Sequence, residues 1–284
     1  MNSIPILYKY CSLDDAKKII KSNKLKVTQP SNFNDPFDCI IPNIDYDFKH
    51  IQNHLINKIK KLAHGKDISK KELKIFQKEL EVDFNKEFNH TLISEFIENI
   101  KKDWNKHIDY YKILCLSKVN NNILMWSHYA NSHQGIVLGF DFNKENNFFN
   151  KIKPVQYDED LKFTKSFFDK LFKELIDESF KEIGDDISSD IENKFALKFI
   201  YHLFEYFFIK NNDWSYEKEY RLVLKEYKDD FLPFQSTSLK SIIFGIKTSK
   251  EEQRSFIAQL NINNIQYFSF EEKNRTLELI ELNV

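Results

Sequence analysis

Apolar residues change their spacing several times along the chain, and each change predicts an element. Ile6, Tyr8 and Tyr10 alternate with other residues, as in a strand over residues 4–10. Ser12 and Asp15 form a capping box with Asp in place of Glu, so a helix is expected through about residue 22. Its buried stripe would be Ala16, Ile19 and Ile20. Residues 24–28 read as extended. Residues 29–38 (QPSNFNDPFD) are a turn-rich loop, with Phe33 and Phe37 expected to pin it to the core. Such a loop is either a structural clasp or one wall of a pocket.

The most individual stretch is residues 115–142, CLSKVNNNILMWSHYANSHQGIVLGFDF. A strand over 112–117 leads into it, a short helix over 124–130 follows, and 135–142 alternates again. Ile136, Leu138, Phe140 and Phe142 would share one face, with Val137, Gly139 and Asp141 on the other. A glycine inside a strand marks a close approach to the backbone. Residues 153–157 are a further extended piece.

Two charged stretches, about 47–110 and 161–210, have helical spacing, with breaks near 64–67 and 184–186. In the second, Phe195, Phe199, Leu203 and Phe207 recur at four-residue steps, the spacing of ordinary helix packing. Strands are expected again at 214–224, 238–245, 266–270 and 276–282. A helix capped by Ser249 and Glu252 should run to about residue 260. Strands at both ends enclosing two helical blocks predict one α+β domain with two helical insertions.

Composition narrows the class without fixing it. Hydrophobic residues are 42% and aromatics 15%, enough for a full core, and the net charge is −1. No global field draws the chain to nucleic acid or an anionic membrane. Its three cysteines are scattered and form no CxxC pair, which fits a reducing cytoplasm. No apolar run approaches the roughly 18 residues of a membrane span. Lysine is used almost everywhere in place of arginine, so the retained Arg221 draws notice for its planar, bidentate fork.

Within 214–224, Glu217, Glu219, Arg221 and Val223 would line one face of a strand, spaced roughly 6.5–7 Å apart. This row is either a self-neutralising strand edge or a catalytic face. His50 and His54 have the i, i+4 spacing of metal ligands but lack a third ligand, so no metal is expected. His128 fits a base, or a structural histidine holding a carbonyl. Asp35 and Asp38 have a sufficient reason in the turn they form.

These phrases resemble a bacterial family known as domain of unknown function 2971. The resemblance rests on LYKY-x-S (residues 7–12), SNFNDPFD (31–38), MWSHYA followed by GF (125–140) and WSYEKEYR (214–221). The opening strand and helix, the middle strand and the late ExE are also similar to the ADP-ribosyltransferase fold. That resemblance implies an ADP-ribosyltransferase-like mixed sheet and NAD as substrate. It implies Glu217 and Glu219 as catalytic carboxylates, and Tyr10, Ser12, Ser117, Tyr129 and Arg221 as NAD-binding residues. The first-strand residue is Tyr10 where that superfamily has His or Arg, and no Ser-Thr-Ser motif is present. The same resemblance implies NAD-dependent ADP-ribosyl transfer or NAD hydrolysis in a toxin or phage-defence setting. A nucleic-acid or protein acceptor and an inhibitory partner would go with it. The alternative is a non-enzymatic nucleotide-sensing or protein-interaction module. A metal-dependent nuclease using Asp35, Asp38 and the two glutamates lacks a coherent ligand set.

Overall fold

The structure, a computed structural model, describes residues 3–42, 49–64, 71, 74, 75, 78, 90–145, 148–182, 203–260, 262 and 264–283. The chain opens with β1 (Leu7–Cys11), α1 (Leu13–Ser22), β2 (Lys24–Lys26), α2 (Lys49–His64) and α3 (His90–His107). Its middle holds β3 (Tyr111–Ser117), α4 (Ile123–Tyr129), β4 (Ile136–Phe140), β5 (Lys153–Pro154), β6 (Gln156–Asp158) and α5 (Lys162–Glu182). The last part carries β7 (Ile209–Asn211), β8 (Glu219–Lys225), β9 (Phe231–Pro233) and β10 (Leu239–Phe244). Helix α6 (Lys250–Leu260) and strands β11 (Gln266–Lys273) and β12 (Thr276–Glu281) complete it.

Two compact units result. The first comprises Met1–Pro36, Ile108–Tyr157 and Lys210–Val284, and the second Phe37–His107 and Asp158–Ile209. The α+β class expected from the sequence is the observed one.

The first unit is built on an eight-stranded mixed sheet in the order β12-β11-β10-β4-β1-β3-β8-β5. Only β10 and β11 run parallel, and α6 supplies the crossover that a parallel pair requires. All five residues of β4 are buried, so both faces of the sheet are covered there. Ile136, Leu138, Phe140 and Phe142 enter one apolar cluster and Val137 the other, as the alternation predicts. Ser12 caps α1, its Oγ accepting from the Asp15 amide at 3.1 Å, while Ala16 and Ile20 are buried.

Two glycines show why the sheet tolerates no side chain at its crowded positions. A Cβ at Gly139 would lie 2.3 Å from Ser241 Oγ and 3.1 Å from the Tyr8 ring. The close approach expected there is made by the protein's own side chains. At Gly245 a Cβ would meet the His133 carbonyl oxygen at 2.1 Å. That carbonyl is fixed by the Lys247 amide at 3.0 Å, in a turn where Asn131, Ser132 and His133 all have positive φ. Gly245→Ala is therefore expected to destabilise the protein by about 1–3 kcal/mol. A fall in the urea midpoint with an unchanged slope would register it. Gly139→Ala should cost less, because the Ser241 hydroxyl can rotate away.

In the second unit α2 packs along α5 through charged pairs. His50 pairs with Asp169, and His54 meets Asp177 at 2.7 Å. Lys58 joins Asp177 at 2.8 Å. The histidine pair with metal-like spacing thus has a structural use. Trp104 Nε1 donates to the Cys39 carbonyl at 2.6 Å, and its ring packs on Phe207 at 4.8 Å.

Some expectations need correction. Phe37 is 74% exposed and does not pin its loop, whereas Phe33 is half-buried. The second helical block does not run on to residue 210, since Phe204–Phe208 is 3-10 and β7 follows it. Its expected break at 184–186, with Phe195 and Phe199 of the stripe, lies outside the described residues, as do residues 65–67 of the earlier break.

Candidate functional site

The strand expected from residue 214 begins only at Glu219. Asn212–Glu217 is a 3-10 segment, started by the Asn211 side chain accepting from the Asp213 amide at 2.9 Å. Lys218 then takes a left-handed conformation, φ 45°, between the two glutamates. Glu217 and Glu219 therefore do not share a strand face through alternation. They meet instead on a lysine.

Lys210 Nζ, from β7, donates to Glu217 Oε2 at 2.6 Å and to Glu219 Oε2 at 3.2 Å. Arg221 grips Glu219 with its fork, Nε to Oε1 at 2.8 Å and a terminal nitrogen to Oε2 at 3.0 Å. The Arg221 guanidinium lies 5.5 Å from the centre of the Phe33 ring. All four charged side chains are buried, Arg221 completely. Two acids and two bases leave the cluster formally neutral, which is the condition for burying it.

The two carboxylates are not equivalent. Burial alone would push Glu219 up, but Arg221 and then Lys210 outweigh it and hold its carboxyl at about 2. Glu217 moves the other way: burial raises it, and the neighbouring Glu219 charge adds to that against the pull of Lys210. Glu219 is held ionised, and Glu217 is the one of the pair whose protonated form burial favours.

Aromatic and polar groups frame the pair. Tyr129 OH donates to Glu217 Oε1 at 2.7 Å and accepts from Asn34 Nδ2 at 2.9 Å. Burial and the Glu217 charge both raise the Tyr129 phenol, so it stays a donor. Tyr157 OH accepts from the Glu219 amide at 2.7 Å. Ser117 Oγ donates to the Glu217 carbonyl at 2.6 Å, clasping the turn to β3. Cys115 stands beside Glu219, and burial followed by that charge keeps its thiol protonated. Half-buried Trp214 and Tyr216 and exposed His128 lie around Tyr129.

The structure thus joins Glu217, Glu219, Arg221, Tyr129 and Ser117. Tyr10 belongs to the apolar cluster against which Tyr129 and Tyr216 pack, its hydroxyl donating to the Val119 carbonyl at 2.9 Å and its ring meeting Trp126 edge-on at 5.5 Å. Ser12 caps α1 and lines a separate cavity of about 450 Å³ with Asp14, Lys17, Asn131 and Glu251. Sequence reasoning missed Lys210, Asn34 and Tyr157. The one signal for Lys210 is a charged residue closing the apolar run YFFIK. Asp35 and Asp38 are buried, and among the described residues no group of three His, Cys, Asp or Glu side chains could hold a metal. None of the helices among the described residues is long and apolar enough to cross a membrane.

Fold and site define an α+β protein whose mixed sheet carries a buried acid–base cluster beside an aromatic mouth. Residues 125–222 match the model of a family described as "Protein of unknown function (DUF2971)". The family resemblance seen in the sequence is thereby shown over the segment that holds Tyr129, Lys210, Glu217, Glu219 and Arg221. No curated protein and no solved structure matches the chain.

Proposed function

We propose that the cluster is the site of an NAD-dependent ADP-ribosyltransferase or NAD glycohydrolase, with Glu217 as the catalytic carboxylate. The observation that carries this reading is the asymmetry of the two glutamates: Glu219 is locked by the Arg221 fork, while Glu217 is raised by burial and accepts from Tyr129. Cleavage breaks the bond between the ribose C1′ and the nicotinamide nitrogen, and the bond pair leaves with nicotinamide. The oxocarbenium-like carbon left behind is stabilised by the nearby negative charge of Glu217 in its ionised form. A water or an acceptor hydroxyl or amine then attacks C1′, and its proton passes to Glu217 as base. Glu219, Arg221 and Lys210 act as positioning groups. The acceptor would be a macromolecule inside the cell, and a toxin or phage-defence role with a silencing partner follows from the same resemblance.

The test is release of nicotinamide from NAD, with transfer of label to DNA, RNA or protein. Glu217→Gln should lower turnover by roughly 10²–10³-fold, the range for removing one electrostatic contributor. Turnover that survives this change would sink the assignment. A second reading, a nucleotide-sensing or interaction module, is favoured by the closure of the cluster: Glu217 already holds Tyr129 with one oxygen and Lys210 with the other. Its signature would be thermal stabilisation by NAD without turnover.

A further inference from the structure

Beside Glu217 four rings form a series whose planes lean together: Trp214–Tyr216 at 35°, Tyr216–His128 at 31° and His128–Tyr129 at 47°. Their centroids follow one another at 6.0, 6.3 and 6.1 Å. The series runs from one side of Lys210, which lies 4.9 Å from the Trp214 ring centre, to Tyr129 on Glu217. Every ring in it keeps some solvent exposure, and His128 is fully in the exposed class.

Lys118 and Lys218 are exposed, Lys218 two residues on from Tyr216 with its Nζ 6.0 Å from the Tyr157 ring centre. The Lys118 amide donates to the Lys218 carbonyl at 3.0 Å, which sets the two residues side by side next to Glu217. Aromatic faces in series with flanking cations are the pattern that holds single-stranded nucleic acid, because every base has a π-face and every linkage a phosphate. We propose that Trp214, Tyr216, His128 and Tyr129 form a stacking platform for unpaired bases of a single-stranded nucleic acid, with Lys118 and Lys218 meeting its phosphates. Where the reaction proposed above holds, this strand is its acceptor, and that one clause rests on that reading. A paired duplex has its bases stacked on each other and cannot offer them to the strip. A free nucleotide fills one ring position only and gains nothing from the remainder.

The experiment uses the full chain without NAD. A short labelled single-stranded oligonucleotide, its duplex and adenosine monophosphate are titrated by anisotropy or competition. Trp214 is the tryptophan partly open to solvent, since Trp104 and Trp126 are buried, so quenching of its fluorescence reports contact directly. Single strand should bind, quench, and weaken as salt rises from about 50 to 200 mM. Duplex and mononucleotide should bind at least about tenfold more weakly. Trp214→Ala and His128→Ala should each cost roughly tenfold, the scale of one lost stacking contact. His128 is exposed, so its variant tests the platform should Trp214→Ala fail to fold. Equal affinity for mononucleotide, equal affinity for duplex, no binding, or binding unchanged in His128→Ala would each overturn the proposal. Binding without NAD turnover would overturn only the reaction, and turnover without strand binding only the platform.

Discussion

Lys210→Met is expected to destabilise the protein by about 3–5 kcal/mol, the range for leaving a buried charge without its partner. That corresponds to a fall in thermal midpoint on the order of 10 °C. Methionine keeps the length and apolar stem of the side chain, so the loss isolates the ammonium. In its absence Glu217 and Glu219 would share one remaining cation, Arg221, which already gives its fork to Glu219. Glu217 is then the uncompensated charge. Its carboxyl is already raised by burial, and removing Lys210, the strongest group holding it down, raises it further. A group whose folded value is raised supports stability below its unfolded value near 4.5 and loses that support as pH climbs through the folded value. The deficit of Lys210→Met should therefore be small near about pH 5 and grow towards about pH 8. The double variant Lys210→Met, Glu217→Gln should recover much of it. Thermal melts at the two pH values decide: a deficit independent of pH would mean that the ammonium is not balancing Glu217.

Arg221→Met should have an effect of similar size on stability, and its deficit should likewise shrink towards acid, but in a lower pH window. Glu219 is held at about 2 in the folded protein against 4.5 for the free side chain. Its contribution is complete above about pH 4.5 and is lost as pH falls towards 2. Arg221 is the largest of the groups lowering it, so in the variant the Glu219 carboxyl rises and less stability is left to lose below about pH 4.5. Arg221→Lys should recover only part of this, because an ammonium cannot reproduce the two parallel bonds to one carboxylate. Urea unfolding at about pH 7 and about pH 3 gives the deficit at each. A deficit that does not shrink at the lower pH would contradict the assignment of Arg221 as the anchor of Glu219.

The sheet was legible in the sequence because burial on both faces left a strong apolar record. The alternation through β4 separates Ile136, Leu138 and Phe140 from Val137, and the capping residues Ser12 and Ser249 mark their helices. The site was half legible. Glu217, Glu219 and Arg221 stand out as charges in an aromatic strand-like run, yet the reading of one continuous strand was wrong. A single left-handed residue, Lys218, breaks the alternation, and a lysine carries no composition signal for that conformation. Lys210 escaped because its partners are defined by the fold, not by neighbours in sequence. Asn34 is likewise far from Tyr129 along the chain and next to it in space.

Strand β4 also governs when this fold can close. Gly139 pairs with Tyr8 on one side and Ser241 on the other, so the most buried strand of the sheet takes its partners from the beginning and the last part of the chain. β3 depends on β8 in the same way, with Cys115 opposite Arg221. Sheets assembled from such distant pieces fold slowly, because chain entropy is lost before the contacts that reward it are made. During synthesis the apolar edge of β4 stays open until β10 emerges, and the charged cluster cannot neutralise itself until Lys210, Glu217, Glu219 and Arg221 are all present. The site is thus among the last features of the first unit to form, and a chain cut short before β8 would lack Glu219, Arg221 and the sheet strands β8, β10, β11 and β12.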